Sequence, residues 1–267
     1  MITFSNLGRH GEFGNQLFQI AATIGYASSI NDQYIFPKWK GMISEHEYSK
    51  CFKNPIPETD HFEGSFHFYE EPTYHYTPIP NLNSNVDLYG FFQSEKYFKH
   101  AEDKIRNYYK PVKPILDSIK NLDYENSVCI QLRFYDNTRS YNPKIHLDAS
   151  YERYYNVHEN IDYLKNSINF FGKNMKFFVT TNNFTEAKKM FSGYGNFYFL
   201  EKYNYIQQFF IQTLCQHNII SNSSFGWWGS WLNNNPNKIV FAPKKWFKIT
   251  DGTLDTKDLY PSEWKVI

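Results

Sequence analysis

The stretch Val128-Cys129-Ile130-Gln131-Leu132-Arg133-Phe134-Tyr135-Asp136 decides the fold. Its apolar run, Val128 to Leu132, is too short for a helix and predicts a strand buried on both faces. An arginine closes the strand. Upstream lie Pro111, Pro114 and the polar run Ser118 to Ser127, which together mark a domain boundary. The expected division is 1–120 and 121–267. Downstream, periodicity predicts a helix around Ile161 to Phe171, a strand Lys176 to Thr180, a helix Thr185 to Phe191 and a strand Asn196 to Leu200. An amphipathic helix with Ile206, Phe209, Phe210 and Leu214 on one side follows. Then come a strand Asn218 to Ser221, a tryptophan-rich helix and a strand Lys238 to Ala242. This alternation predicts an α/β fold with a parallel sheet covered on both faces.

Upstream of the boundary, Ile2 to Ser5 predicts a short strand. Gly8, Gly11 and Gly14 punctuate a loop, and a helix runs on from Asn15. Gln33 to Phe36 and Val86 to Phe92 predict strands. Ser94 is placed to cap a helix from Glu95 to about Tyr109. Between residues 41 and 85, Pro55, Pro57, Pro72, Pro78 and Pro80 predict loops and short strands. Phe62, Phe66, Phe68, Tyr69, Tyr74 and Tyr76 in that stretch either line a sugar groove or pack a loop-rich edge.

The chain has 267 residues and a net charge of +1, so no broad basic field exists to bind nucleic acid. An anionic ligand must be held by a few placed residues. Aromatic residues make up 20% of the chain. Rings go first to cores, and only then to surfaces that stack on sugars. Cys51, Cys129 and Cys215 have neither disulfide-framework nor metal-ligand spacing, which suits a reducing compartment. The start, MITFSNLGRHGEFGN, lacks an apolar run after a basic segment, and no stretch approaches the roughly 20 apolar residues of a membrane span. The expectation is a cytoplasmic protein that meets membranes at most peripherally.

Ligands of open parallel sheets sit at the carboxyl ends of the strands, and four segments end strands with polar residues. Gly11-Glu12-Phe13-Gly14-Asn15-Gln16 is a glycine-rich turn into a helix, able to hold an anion on exposed amides. Alternatively, Gly14 only permits a tight turn and Asn15 only caps the helix. Arg133 offers a forked donor set suited to a diphosphate, and a placed cation stabilises a departing phosphate in the transition state. Alternatively, it pairs with a carboxylate such as Asp136. In Ser221-Asn222-Ser223-Ser224-Phe225-Gly226-Trp227-Trp228-Gly229, serine hydroxyls meet a helix N-terminus, a phosphate cradle. Its tryptophans read as core. Thr180-Thr181-Asn182-Asn183 is a polar turn placed to contact a base or ribose. Zinc spacing, a Gly-x-Ser-x-Gly elbow and an Asp-x-Asp pair are all missing from the sequence.

Taken together, these segments resemble glycosyltransferase family 11, the α-1,2-fucosyltransferases. The resemblance rests on Gly14-Asn15-Gln16-Leu17-Phe18-Gln19, on Gly90-Phe91-Phe92-Gln93-Ser94-Glu95-Lys96-Tyr97-Phe98, and on Asn222 to Gly229 followed by Ala242-Pro243-Lys244-Lys245-Trp246-Phe247. It implies a GT-B type fold, with two Rossmann-like domains facing across a cleft, the N-terminal one on the acceptor side and the C-terminal one on the donor side. It further implies GDP-β-L-fucose as donor, transfer with inversion and without a metal or other cofactor, and a glycan acceptor, classically a terminal galactose. Arg133 and Asp136 match the first arginine and the aspartate of the family's His-x-Arg-Arg-Gly-Asp pattern. Gln131 stands at the histidine, which is expected near guanine, and Phe134 at the second arginine. Thr181-Asn182-Asn183 stands where the family often carries Ser-Asp-Asp. The implied donor-binding set is Gly14, Asn15, Gln131, Arg133, Thr181, Asn182, Ser223, Ser224 and Phe225, with Arg133 and Asp136 catalytic. Asp136 is the nearest candidate base, ahead of His10 and His146. Rival readings are a transferase of the same fold with another nucleotide sugar, a glycan-binding relative without activity, and a hydrolase with a carboxylate pair.

Overall fold

A computed structural model describes residues 1–40, 47–135, 153–193, 195–248 and 252–267. The chain divides into two units. One comprises Met1–Lys113 with Thr250–Pro261, the other Pro114–Ile249 with Ser262–Ile267. The division thus falls before the expected residue 120, and the chain end is shared between the units.

In the first unit, β1 (Ile2–Thr3) leads through a loop into α1 (Phe13–Ser29). Short strands β2 (Phe36–Pro37) and β3 (Glu58–Thr59) pair in parallel, and β4 (His67–Glu70) and β5 (Val86–Tyr89) follow. The main sheet is parallel with order β1-β5-β4, and Ile2 and His67 both register on Val86. Alternation explains the burial: Val86 and Leu88 are buried, whereas Asp87 and Tyr89 on the other face are only partly so. The strand stops at Tyr89 rather than Phe92, because Gly90 (φ 152°) and Phe92 (φ 51°) turn the backbone away from extended geometry. The helix expected from Glu95 begins as two 3₁₀ turns, Glu95–Tyr97 and Lys99–Ala101, before α2 (Glu102–Tyr108). Ser94 caps the first of these turns, accepting from the Lys96 amide. Gly25 of α1 lets the helix lie against that turn: a Cβ there would sit 2.2 Å from the Tyr97 carbonyl oxygen.

The second unit opens with α3 (Lys113–Ile119). It continues through β6 (Ser127–Leu132), α4 (Ile161–Phe171), β7 (Lys176–Thr181), α5 (Phe184–Met190), β8 (Phe197–Phe199), α6 (Tyr205–Leu214), β9 (His217–Ile220), α7 (Ser224–Trp231), β10 (Val240–Ala242) and β11 (Lys265–Val266). The sheet is six-stranded and all parallel, with order β11-β10-β9-β6-β7-β8. Every residue of β6 is buried. Val128, Ile130 and Leu132 join Tyr163, Leu164, Ala187 and Phe191 in one core. The alternate residues Cys129 and Gln131 turn to the opposite face. Trp227, Trp228 and Trp231 are buried, and Trp227 lies 5.5 Å from the ring of Trp264. These rings are core, as expected. Among the described residues no helix is long and apolar enough to cross a membrane.

Sequence order and sheet order together locate a switch point. From β6 the chain steps outward to β7 and β8, then returns to place β9 on the other side of β6. The strands that follow β6 and β9 thus lie on opposite sides, the topology at whose carboxyl ends open parallel sheets bind ligands.

Candidate active site

Arg133 stands one residue beyond β6, at that switch point. It is half-buried, with its guanidinium carbon 5.6 Å from the centroid of the Tyr135 ring. Among the described residues the guanidinium carries no ion pair or hydrogen bond. Its forked donors are thus available to an anion. Asp136 and His146 lie outside the described residues.

Neighbouring side chains build the ground under Arg133. Phe134 is buried in the core. The Oδ1 of Asn182, just past β7, accepts from the Phe134 amide at 2.8 Å, and its Nδ2 donates to the Phe134 carbonyl at 2.8 Å. Tyr135 donates from its hydroxyl to the Asn222 carbonyl at 2.6 Å and stacks on Tyr154 at 4.6 Å. Asn222, fully buried, donates in turn to the Tyr155 and Trp246 carbonyls at 2.8 and 2.9 Å. The strand-end connections are stitched to one another by amide side chains.

The serine run forms the second wall. Ser223 precedes α7 with extended dihedrals, and its side chain makes no cap hydrogen bond. Ser223, Ser224 and Phe225 are partly exposed. The amides of a helix's first turn have no carbonyl one turn earlier to bond, so this end of α7 offers N–H groups and partial positive charge. Gln131, implied to lie near a base, is 4% exposed and packs against α7. Its Oε1 accepts from the Ser221 hydroxyl at 3.0 Å. A Cβ on Gly226 would fall 2.5 Å from that oxygen, so Gly226 is what lets α7 settle onto Gln131. Thr181 and Asn183 also make local bonds. The Thr181 hydroxyl accepts from the Asn183 amide at 3.0 Å, and the Asn183 side chain caps α5 by accepting from the Glu186 amide at 3.1 Å.

In the first unit the left-handed turns before α1 fall at Gly8 (φ 82°) and Gly11 (φ 79°), whereas Gly14 lies within the first turn of α1. Asn15 is not the cap either. That position belongs to Glu12. The Oδ1 of Asn15 accepts from Gln93 Nε2 at 2.8 Å, and the Tyr74 hydroxyl donates to Gln93 Oε1. Gln16 and Gln19, both buried on α1, hold the preceding loop. Gln16 donates to the Gly11 carbonyl at 2.8 Å and Gln19 to the His10 carbonyl at 2.7 Å. His10 stacks on Phe91 at 4.4 Å and Tyr89 at 4.8 Å, and burial lowers its pKa, favouring the neutral ring. Of the aromatics between residues 41 and 85, Phe68 is exposed and packs at 5.6 Å on Tyr89. Phe62 packs on Phe66, and Tyr76 on Tyr97.

Two residues here, Gln93 and Glu71, carry no functional signature in the sequence. Glu71 Oε2 accepts from the amides of Phe91 and Phe92, both at 2.8 Å, bracing the turn that carries Gln93. Burial pushes its carboxyl up to about 7, against the opposing pull of the two amides and of Tyr97. The available signal for Gln93 was an amide directly after the paired aromatics Phe91 and Phe92. Nothing local marks Glu71. Among the described residues no group of three or more His, Cys, Asp or Glu side chains is placed to hold a metal ion.

Comparison with known proteins places this geometry. The sequence profile of glycosyl transferase family 11 matches residues 10–267. An α-1,2-colitosyltransferase of Escherichia coli is 32% identical over 192 residues, 69% of this chain and 63% of that protein, so the chain spans less than two thirds of this relative. The O-antigen biosynthesis glycosyltransferase WbnK of Escherichia coli is 40% identical over 65 residues, 23% of this chain and 21% of that protein. Among solved structures, the fucosyltransferase NodZ from Bradyrhizobium superposes with a TM-score of 0.57 at 12% identity, covering 85% of this chain and 92% of that one. POFUT1 in its apo form superposes with a TM-score of 0.51 at 13% identity, covering 93% and 97%. At such identities the likeness is one of fold, and it makes the chain an α/β protein of GT-B type, as the sequence reading expected. With the profile covering nearly the whole chain, from the loop before α1 to the last residue, this protein belongs to glycosyl transferase family 11.

Proposed function

We propose that the chain is an inverting, metal-independent fucosyltransferase that moves L-fucose from GDP-β-L-fucose to a hydroxyl of a glycan, forming an α-1,2 linkage to galactose. The observation that carries this reading is Arg133, free of any ion pair among the described residues, beside the opening turn of α7 at the β6/β9 switch point. Membership of the family supports it.

As the sugar–phosphate bond lengthens, negative charge builds on the departing diphosphate. Arg133, the Ser223 and Ser224 hydroxyls and the first turn of α7 meet that charge, so their stabilisation is greatest in the transition state. The acceptor hydroxyl attacks the opposite face of an oxocarbenium-like carbon, and placement supplies much of the rate. A base is needed only late in such a step. Asp136 is our candidate.

A second reading is favoured by the 32% identical relative, an α-1,2-colitosyltransferase. Colitose is a 3-deoxy counterpart of fucose, so the same diphosphate cradle serves either sugar. The test is to titrate GDP, UDP and CDP in chelator-containing buffer, then measure transfer from GDP-fucose and GDP-colitose to a galactoside. Selective GDP binding with transfer from GDP-fucose is the expected result. Preference for the deoxy donor moves the assignment to the second reading, and binding of another nucleotide overturns both.

A further inference from the structure

Arg133 and the serine run before α7 stand on different strand-end connections, and one residue touches both. Tyr135, two positions beyond Arg133, holds the Arg133 guanidinium over its ring, with 5.6 Å between the guanidinium carbon and the ring centroid. Its hydroxyl donates to the Asn222 carbonyl at 2.6 Å. That carbonyl belongs to the peptide unit joining Asn222 to Ser223. The Ser223 amide, at the other end of the same unit, donates to the Ser221 carbonyl at 2.8 Å. The peptide that leads into Ser223 and Ser224 is therefore held from both ends, and Tyr135 supplies one of the two holds.

We propose that Tyr135 is a positioning residue for sugar transfer, which holds the Arg133 guanidinium on its ring and the peptide between Asn222 and Ser223 on its hydroxyl, so that the two phosphate-binding elements of the second unit keep one fixed spacing.

The proposal rests on the diphosphate-binding role given above to Arg133 and the serine run, and it adds the device that aligns them. All the residues involved belong to the second unit. Tyr135 is itself tied down. Its ring stacks on Tyr154 at 4.6 Å with the planes 11° apart, and Tyr154 packs on Phe247 at 5.0 Å. Its carbonyl accepts from Asn156 Nδ2 at 2.7 Å. The residue before it, Phe134, is buried and clasped by Asn182. A ring suits the task better than a carboxylate would. An arginine side chain has many rotamers to lose, and the electron-rich face of a ring attracts a guanidinium. A ring carries no net charge and takes no forked pair of N–H bonds. Arg133 is thus held while its charge and its donors stay available to an anion. In the bond to Asn222 the hydroxyl can only donate, because a carbonyl only accepts. A cradle ordered before the substrate arrives costs little on binding, and a fixed spacing serves the moment when charge develops on the diphosphate.

Two substitutions separate the two contacts. Tyr135→Phe keeps the ring and drops the hydroxyl bond, and Tyr135→Leu drops both. With GDP-fucose and a galactoside in chelator-containing buffer, kcat should fall about tenfold in Tyr135→Phe and about a hundredfold in Tyr135→Leu, while the donor KM changes only a few-fold. The ring contact is then isolated by GDP calorimetry. Tyr135→Leu should bind GDP about threefold more weakly than Tyr135→Phe when Arg133 is present, and equally well in an Arg133→Ala background. The same difference in both backgrounds overturns the proposal, as do variants that transfer like the parent, or losses that merely follow a lowered melting temperature. A readout without nucleotide keeps this separate from the donor assignment. In ¹H–¹⁵N spectra of the full chain, the ring should shift the Arg133 Hε signal upfield in the parent and in Tyr135→Phe, and Tyr135→Leu should return it toward the position of a free arginine. A signal that stays in place in Tyr135→Leu overturns the proposal even if GDP binds. A signal that moves sustains it even if GDP proves to be the wrong nucleotide.

Discussion

Asn182 grips the peptide unit of Phe134 from both ends, accepting from its N–H and donating to its C=O at 2.8 Å each. A side-chain amide thus replaces the ladder bonds that end with β6 and β7, and it fixes the backbone next to Arg133. Asn182, which the family resemblance implies for donor binding, thus also positions the backbone beside Arg133. Asn182→Asp keeps the acceptor and sets a carboxylate against the Phe134 carbonyl. We expect kcat/KM to fall about tenfold, with about 1 kcal/mol lost from urea-unfolding stability. Asn182→Ala should cost similar stability without the repulsion. Variants that match the parent in both readouts would refute the role.

Arg133 holds no structural ion pair among the described residues. Arg133→Ala should therefore abolish transfer while the thermal midpoint stays near that of the parent, within about 0.5 kcal/mol. Arg133→Lys keeps the charge and loses the fork, so partial activity is expected. Retained transfer in Arg133→Ala would remove it from the mechanism.

Gly226 and Gln131 share one space, with 2.5 Å separating a Cβ on the glycine from Gln131 Oε1. Gly226→Ala should lose about 1–3 kcal/mol through overpacking and weaken nucleotide binding by displacing the start of α7. Shortening the partner, in Gly226→Ala with Gln131→Ala, should recover part of the stability in urea melts. Additive losses in the double variant would contradict the shared contact.

Glu71 gives a pH signature. Its carboxyl is pushed up to about 7 by burial, from an ordinary value of 4.5, so the native state holds the proton more tightly than the unfolded chain. The stability linked to this group is complete below about pH 4.5 and is lost as pH rises through about 7. Melts of the parent should show that decline. Glu71→Gln, which cannot ionise, should show it reduced, and parallel curves for the two proteins would refute the shift.

Much of the second unit was legible because buried parallel strands and amphipathic helices write themselves into short windows. The α4 expectation, Ile161 to Phe171, coincides with the observed helix, and β6 differs from its expected bounds only at Ser127. The first unit was harder to read. The segment from Glu95 broke into 3₁₀ turns where α1 packs close at Gly25, and the left-handed turns fell at Gly8 and Gly11 instead of Gly14. Both outcomes depend on contacts distant in sequence, which local propensity does not encode.

By itself the sequence determined the α/β class, the buried β6 strand ending at Arg133, the serine run opening α7 and the family segments, since each is a property of neighbouring residues. Only the tertiary structure decided what those residues face. Sheet order brought the ends of β6 and β9 together at the switch point. It turned Gln131 under α7 and closed Asn182 on Phe134 across 48 residues of chain. It also joined Asn15 to Gln93 across 78. Hydrogen-bond polarity is a relation between partners, and a partner is chosen by the packing of the whole unit, which no short stretch of sequence contains.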